Sequence, residues 1–127
     1  MKKYPNVTVA IIFRYKDKVL ILKHRNGVFS FPGGRMNWGE SILGALNREL
    51  KEELNYSLEN KPKLFDVWNY ISKNRRRHSV FIDYIYQFNK KPKFYSPEKL
   101  QTLWLKKNDF KQMNIIKDKK FLDKMFG

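Results

Sequence analysis

The 127-residue sequence predicts an α/β (α+β) fold, a single domain (residues 1–127) in which helices cover the faces of a central mixed β-sheet. Three observations carry this. At 42% hydrophobic and 16% aromatic, a chain of this length has enough apolar material for one core and no more. Runs of β-branched and aromatic residues recur between turn-forming stretches. Two further segments space their apolar residues at helical intervals. No repeat, linker or low-complexity tract divides the chain.

The elements follow in order. Asn6 to Arg14 (Val7, Val9, Ile11, Ile12, Phe13) and Lys18 to Lys23 (Val19, Leu20, Ile21, Leu22) are strands separated by the polar Lys16-Asp17, either a hairpin or two neighbours. Asn26 to Gly39, rich in Gly, Asn and Pro around Phe29 and Phe31, is a short strand entering a shaped loop. A helix runs from about Ser41 to Leu54. Leu64 to Ser72 and Ser79 to Phe88 are strands joined by the basic turn Lys73-Asn74-Arg75-Arg76-Arg77; with His78 this basic tip reads first as solvated, and a substrate or RNA role is the weaker alternative. A strand holding Leu103-Trp104-Leu105 follows, and a last helix spans Asp118 to Met125, with Phe121, Leu122 and Met125 on one face.

Composition excludes several chemistries. Without cysteine there is neither a disulfide nor a thiolate metal site, and two histidines cannot fill a nitrogen ligand set. Any metal site must be built from oxygen, which favours Mg²⁺ or Mn²⁺ over zinc. No segment approaches the ~20 apolar residues of a membrane span, and Met1-Lys2-Lys3-Tyr4-Pro5-Asn6 lacks the apolar core of a secretion signal. A cytoplasmic protein with no membrane partner is expected. The net charge of +15 would draw the chain to polyanions, whether free nucleotides or RNA, although a lysine-rich surface with no assigned partner has the same composition.

The informative segment begins at Gly33-Gly34-Arg35 and ends at Glu53. Ser41 is a good N-cap, and Ile42, Leu43, Leu46, Leu50 and Leu54 form one apolar face of the helix it opens. Asn47, Arg48 and Lys51 point away from that face. Glu49, Glu52 and Glu53, at i, i+3 and i+4, fall within an arc of roughly 100° beside it. Stacked like charges repel by a few tenths of a kcal/mol per pair, and partial burial adds to the cost. A lysine or arginine from elsewhere would offset this, as would a hard divalent cation, which prefers clustered carboxylate oxygens. Ahead of the helix, Gly33-Gly34 allows close backbone approach. Pro32 stiffens that loop, which reads as feeding the helix N-terminus, where the dipole favours anions.

Together these residues resemble the Nudix box: Gly, five residues, Glu, seven residues, then Arg-Glu-apolar-x-Glu-Glu-x-Gly-apolar. Gly34, Glu40, Arg48, Glu49, Leu50, Glu52 and Glu53 match at every spacing. The departure is Asn55, where the pattern has Gly. This position lies just past the helix end, where a left-handed residue often terminates it, and Asn is the next most tolerant residue. Tyr56 fills the apolar position that follows. Leu20-Ile21-Leu22-Lys23-His24-Arg25, the aromatic before Pro32-Gly33-Gly34, and Glu98 ahead of the Trp104 strand are similar to the family's flanks.

That resemblance implies an α/β/α sandwich and a hydrolase of diphosphate linkages in nucleotide-like substrates. It implies that Glu49, Glu52 and Glu53 coordinate Mg²⁺ or Mn²⁺, with a carbonyl of Gly33 or Gly34 and the side chain of Glu98 as further ligands. Glu49 or Glu52 would serve as general base, Arg48 would orient a box carboxylate, and Glu40 would fix the loop against the helix. Lys23, Arg25 and Arg35 are candidates for substrate phosphates, each with a plain solvated alternative. An RNA 5′ end as substrate, and a domain that only binds nucleotide or RNA, remain alternatives; the second would ordinarily have lost box carboxylates. Base and leaving group stay open. Phe29, Trp38, Trp68 and Tyr84 could stack on a base, with core packing assigned to most of them. Monomer and homodimer are both compatible with the resemblance.

Overall fold

The computed structural model describes residues 3–116 and 118–127; the first two residues of the amino-terminal segment read above lie outside it. Ten elements follow one another: β1 Asn6–Tyr15, β2 Lys18–Lys23, β3 Phe29–Ser30, β4 Gly33–Arg35, α1 Ile42–Leu54, β5 Lys63–Ile71, β6 His78–Phe88, β7 Gln101–Lys106, α2 Lys107–Gln112 and α3 Lys119–Phe126. The strands form one mixed sheet in the order β3-β2-β1-β6-β5, with β4 also paired to β1 and β7 to β2. β1 and β6 are parallel over their whole length, and the other pairings are antiparallel.

Alternation along β1 and β2 builds two cores from one sheet. Val9, Ile11 and Phe13 of β1, with Leu20 and Leu22 of β2, face α1 and meet Ala45, Leu46, Leu50 and Leu54. Ile12, Val19 and Ile21 face the other way, against Phe110 of α2 and Leu122 and Met125 of α3. All of these are essentially inaccessible to solvent. The sheet therefore lies between helical layers, as expected from the strand and helix patterning. Among the described residues, no helix is long and apolar enough to cross a membrane.

Both ends of α1 are held by side chains suited to them. Ser41 Oγ accepts from the Gly44 amide at 3.0 Å, satisfying one free N–H of the first turn. Asn55 takes the left-handed conformation (φ 51°, ψ 42°), and its N–H donates to the Lys51 carbonyl at 3.1 Å. The helix thus ends where Gly would have ended it. α2 is an element that the sequence pattern does not announce. It is six residues long and buries only Phe110, too few contacts to produce a periodic signal.

Candidate active site

Gly33 and Gly34 do not sit at the helix N-terminus. They form β4, paired with Ala10 and Val9 of β1, and the chain reverses through Met36–Glu40 before α1 begins. As a result, the glycines face the last two turns of α1. The Gly33 amide donates to Glu53 Oε1 at 2.8 Å, and a Cβ on Gly34 would overlap the Glu49 carboxyl group. A Cβ on Gly33 (φ +141°) would overlap the Val9 carbonyl oxygen. The role of the glycine pair is close approach of backbone to carboxylate. The expected contribution of the helix dipole does not apply to it.

Arg48 organises the other side. Its Nε and Nη2 grip Glu40 at 2.8 and 3.0 Å, Nη1 donates to Glu49 Oε1 at 2.9 Å and lies 3.4 Å from Glu52 Oε1, and Nη2 also donates to the Arg35 carbonyl at 2.9 Å. Glu40 Oε1 accepts in addition from the Asn37 amide at 2.7 Å. One guanidinium thus ties the loop of residues 35–40 to two turns of helix through charge-assisted bonds. Its hydrogen bonds hold the Glu40 carboxyl below the usual range, with Arg48 the larger cause and the Asn37 amide the smaller.

The three helix carboxylates are graded in exposure. Glu53 is buried, Glu49 half-buried and Glu52 exposed. Burial pushes the Glu53 carboxyl up to about 8 against the opposing Gly33 hydrogen bond, and the charges of Glu49, Glu98 and Glu52 push it further the same way. Glu49 is also raised, first by burial, with Arg48 opposing and Glu52 and Glu98 adding to the rise. Glu98, far off in sequence, therefore lies within electrostatic reach of the cluster. It is carried at the third position of the turn Ser96–Lys99, whose Lys99 amide donates to the Ser96 carbonyl at 3.0 Å, with Pro97 preceding it.

Among the described residues, no three carboxylates or imidazoles already converge as a preformed cation cage, and Arg48 occupies Glu49. The donor set nevertheless suits a hard divalent ion. It is all oxygen, carries up to four negative charges, and leaves Glu53 and Glu98 without an ion-pair partner among the described residues.

A cleft of about 670 Å³ opens beside the cluster, and Glu53, Gly33 and Gly34 form part of its wall. Its floor is written by strand register. Thr8, Phe81 and Trp68 make one row across β1, β6 and β5, and Ala10, Asp83 and Asp66 make the next. A β-bulge at Phe65 brings Asp66 level with Asp83, and Lys124 Nζ caps the Phe65 carbonyl at 2.6 Å. Trp68 and Phe81 stack at 4.2 Å, and the Trp68 indole N–H donates to Asp83 Oδ2 at 2.7 Å. Asp83 is buried; desolvation raises its carboxyl, the indole hydrogen bond opposes this, and the charge of Asp66 adds to the rise. Ile115, Ile116 and Phe121 roof the cleft, and Asp118 and His24, the latter 2.7 Å from Ser30 Oγ, complete its polar lining.

Of the residues singled out in the sequence, Glu40, Arg48, Glu49, Glu52, Glu53, Gly33, Gly34 and Glu98 are brought together. Lys23, Arg25 and Arg35 are not: none lines the cleft. Lys23 lies 5.9 Å over the Phe29 ring, Arg25 sits in the exposed turn closed by the Gly27-to-His24 bond, and Arg35 offers its carbonyl rather than its side chain. Core packing holds for two of the four aromatics singled out. Phe29 and Tyr84 do pack partly against the cores, but Trp38 is fully exposed and Trp68 is 43% exposed. Asp66, Asp83 and His24 were missed. The available signal was a carboxylate, Asp83, within the otherwise apolar run Val80 to Ile85.

Comparison with known proteins places this geometry. Residues 3–125 match the NUDIX domain. An ADP-ribose pyrophosphatase of Methanocaldococcus jannaschii is 33% identical over 94 residues, 67% of this chain and 55% of that protein, so the chain spans about half of that relative's length. An 8-oxo-dGTP diphosphatase of Buchnera aphidicola is 28% identical over 117 residues, 88% of this chain and 85% of that protein. The crystal structure of a MutT protein from Methanosarcina mazei superimposes with a TM-score of 0.75 at 16% identity, covering 98% of this chain and 93% of the other, which speaks for the fold. The match across nearly the whole chain, with box residues gathered on one glycine-backed helix, shows that the protein belongs to the Nudix hydrolase family.

Proposed function

We propose that the chain acts as one domain, a divalent-cation-dependent pyrophosphohydrolase that cleaves the diphosphate linkage of a nucleotide whose base enters the acidic, aromatic cleft. One observation carries this reading: Glu53 belongs both to the helix carboxylates and to the cleft wall, so a base in the cleft puts its phosphates beside the cluster. Glu49, Glu52 and Glu53 would hold Mg²⁺ or Mn²⁺, with a carbonyl of Gly33 or Gly34 and the Glu98 carboxylate as further oxygens. When bound, the ion supplies charge neutralisation for the diphosphate and acidifies the attacking water. Arg48 keeps Glu49 and Glu52 oriented, and one of these two takes the water's proton.

In the cleft, Trp68 presents a partly exposed ring already stacked on Phe81, and Asp83 and Asp66 present acceptors. Acceptors of this kind favour a base edge with adjacent N–H donors, as in the guanine class named for the Buchnera relative, over an acceptor-rich edge. The test is release of phosphate or pyrophosphate from a panel of guanine and adenine triphosphates, ADP-ribose and a triphosphorylated RNA, in Mg²⁺ and Mn²⁺. Wild type should cleave a guanine-class triphosphate best, and the double variant Glu52→Gln/Glu53→Gln should lose at least about 10³-fold. Equal cleavage by the double variant, or no cleavage of anything by wild type, sinks the catalytic reading. The second result leaves a domain that only binds.

A further inference from the structure

The strongest unassigned feature lies at the other end of the sheet. A groove of about 870 Å³ crosses the carboxyl-terminal ends of β1 and β6 and the start of β5. Arg14, Lys61, Lys63, Lys90, Lys91 and Lys93 line it against one acid, Glu59, and among the described residues none of the six cations has an ion-pair partner. Arg14 donates from Nη2 to the Phe126 carbonyl at 3.2 Å, and its buried Nε has no partner. Half-buried Tyr56, Tyr86 and Phe88 give the groove an aromatic wall. Arg14 is five residues, about 16 Å at strand rise, along β1 from Val9, the partner of Gly34.

We infer that this groove is a binding track for the phosphate backbone of single-stranded RNA, separate from the acidic cleft. The five lysines are exposed, Lys61 and Lys63 entering β5 and Lys90 to Lys93 leaving β6. They belong to two separate stretches of chain, 61–63 and 90–93, and a chain of phosphates can engage more of them at once than a single phosphate can. The concave shape disfavours a flat bilayer surface, and the aromatic wall offers faces that bases, not lipid headgroups, can use. The groove does not depend on the hydrolase reading, because binding is measured without turnover.

The test is fluorescence anisotropy of a labelled single-stranded RNA oligonucleotide against three proteins. These are wild type, the groove variant Lys61→Glu/Lys63→Glu/Lys91→Glu, and a variant with the same charge change at the hairpin tip, Arg75→Glu/Arg76→Glu/Arg77→Glu. The groove variant should bind at least about 30-fold more weakly and the tip variant within about threefold of wild type, at equal ionic strength. Free nucleotide should not displace the RNA. Equal losses in the two variants would reduce the effect to diffuse charge, displacement by nucleotide would move the RNA to the acidic cleft, and binding to phosphatidylserine vesicles with none to RNA would assign the surface to membranes; each overturns the inference. If charge reversal unfolds the protein in a thermal melt, Gln at the three positions of each variant carries the same comparison.

Discussion

The acidic cleft and the basic groove differ in more than sign. Eight of the chain's twelve acids gather at the cleft and its carboxylate cluster: Glu40, Glu49, Glu52, Glu53, Asp66, Asp83, Glu98 and Asp118. Most are held by hydrogen bonds, such as Glu53 on the Gly33 amide and Asp83 on the Trp68 indole, at 2.8 and 2.7 Å. In the groove, the lysines are exposed on flexible stems and have no ion-pair partner among the described residues. A net charge of +15 thus hides an acidic site, because the acids are concentrated and the cations dispersed. The preorganised side should be sensitive to a single methyl group, the dispersed side only to summed charge.

The largest effects are expected at the two glycines. Gly33→Ala forces a Cβ onto the Val9 carbonyl at a φ of +141°, where backbone must move, and should cost about 3 kcal/mol or more in urea unfolding. At Gly34→Ala the nearest atoms to the new Cβ are those of the Glu49 carboxyl group, the far end of a flexible side chain. This variant should change stability by less than about 1 kcal/mol yet lower kcat about 100-fold, since the carboxylate must leave its 2.9 Å bond to Arg48. If Gly34→Ala keeps full kcat, the site is not preorganised in the sense argued.

Next comes Asp83→Asn, which preserves an acceptor for the Trp68 indole but removes the charge. Preference for a guanine-class over an adenine-class triphosphate, read as the ratio of kcat/KM, should fall about tenfold. Stability should respond with a defined sign. Burial raises the folded-state pKa of Asp83, so ionising it opposes folding, and that penalty grows as pH rises from the unfolded value through the folded one. The variant should therefore be more stable than wild type at neutral pH, and the gain should vanish as pH falls to about 4. A gain that persisted in acid would mean that packing, not charge, was altered.

These contrasts also mark what could be read from sequence. The box was legible because its chemistry needs fixed spacing on one helix: Arg48, Glu49, Glu52 and Glu53 are local to each other, and Asn55 reads correctly as a left-handed terminator. The layered fold was legible because β1 and β2 alternate over two cores. Asp83, Asp66 and Trp68 were not, since their meeting depends on the antiparallel register between β5 and β6 and on the bulge at Phe65, both set by pairing between strands rather than by local spacing. The glycine pair was misplaced for a related reason. Its proximity in sequence to the start of α1 conceals the reversal through Met36–Glu40 that brings it to the helix's other end.

The smallest expected effect tests the dispersed side. Because each phosphate neutralised on a single strand contributes about 0.7 to the slope of log affinity against log salt, Lys61→Gln should flatten that slope for RNA by about 0.7. Affinity itself should fall only a few-fold, because neighbouring Lys63 and the Lys90 to Lys93 lip remain. Hydrolysis of a free nucleotide by the same variant should keep its wild-type salt dependence, since Lys61 lies at the opposite end of the sheet from Glu53. An unchanged RNA slope would place Lys61 outside the phosphate path. A loss of affinity as steep as that of the triple variant would instead mean that the groove holds one anion at one point, so that it resembles the acidic cleft in construction after all.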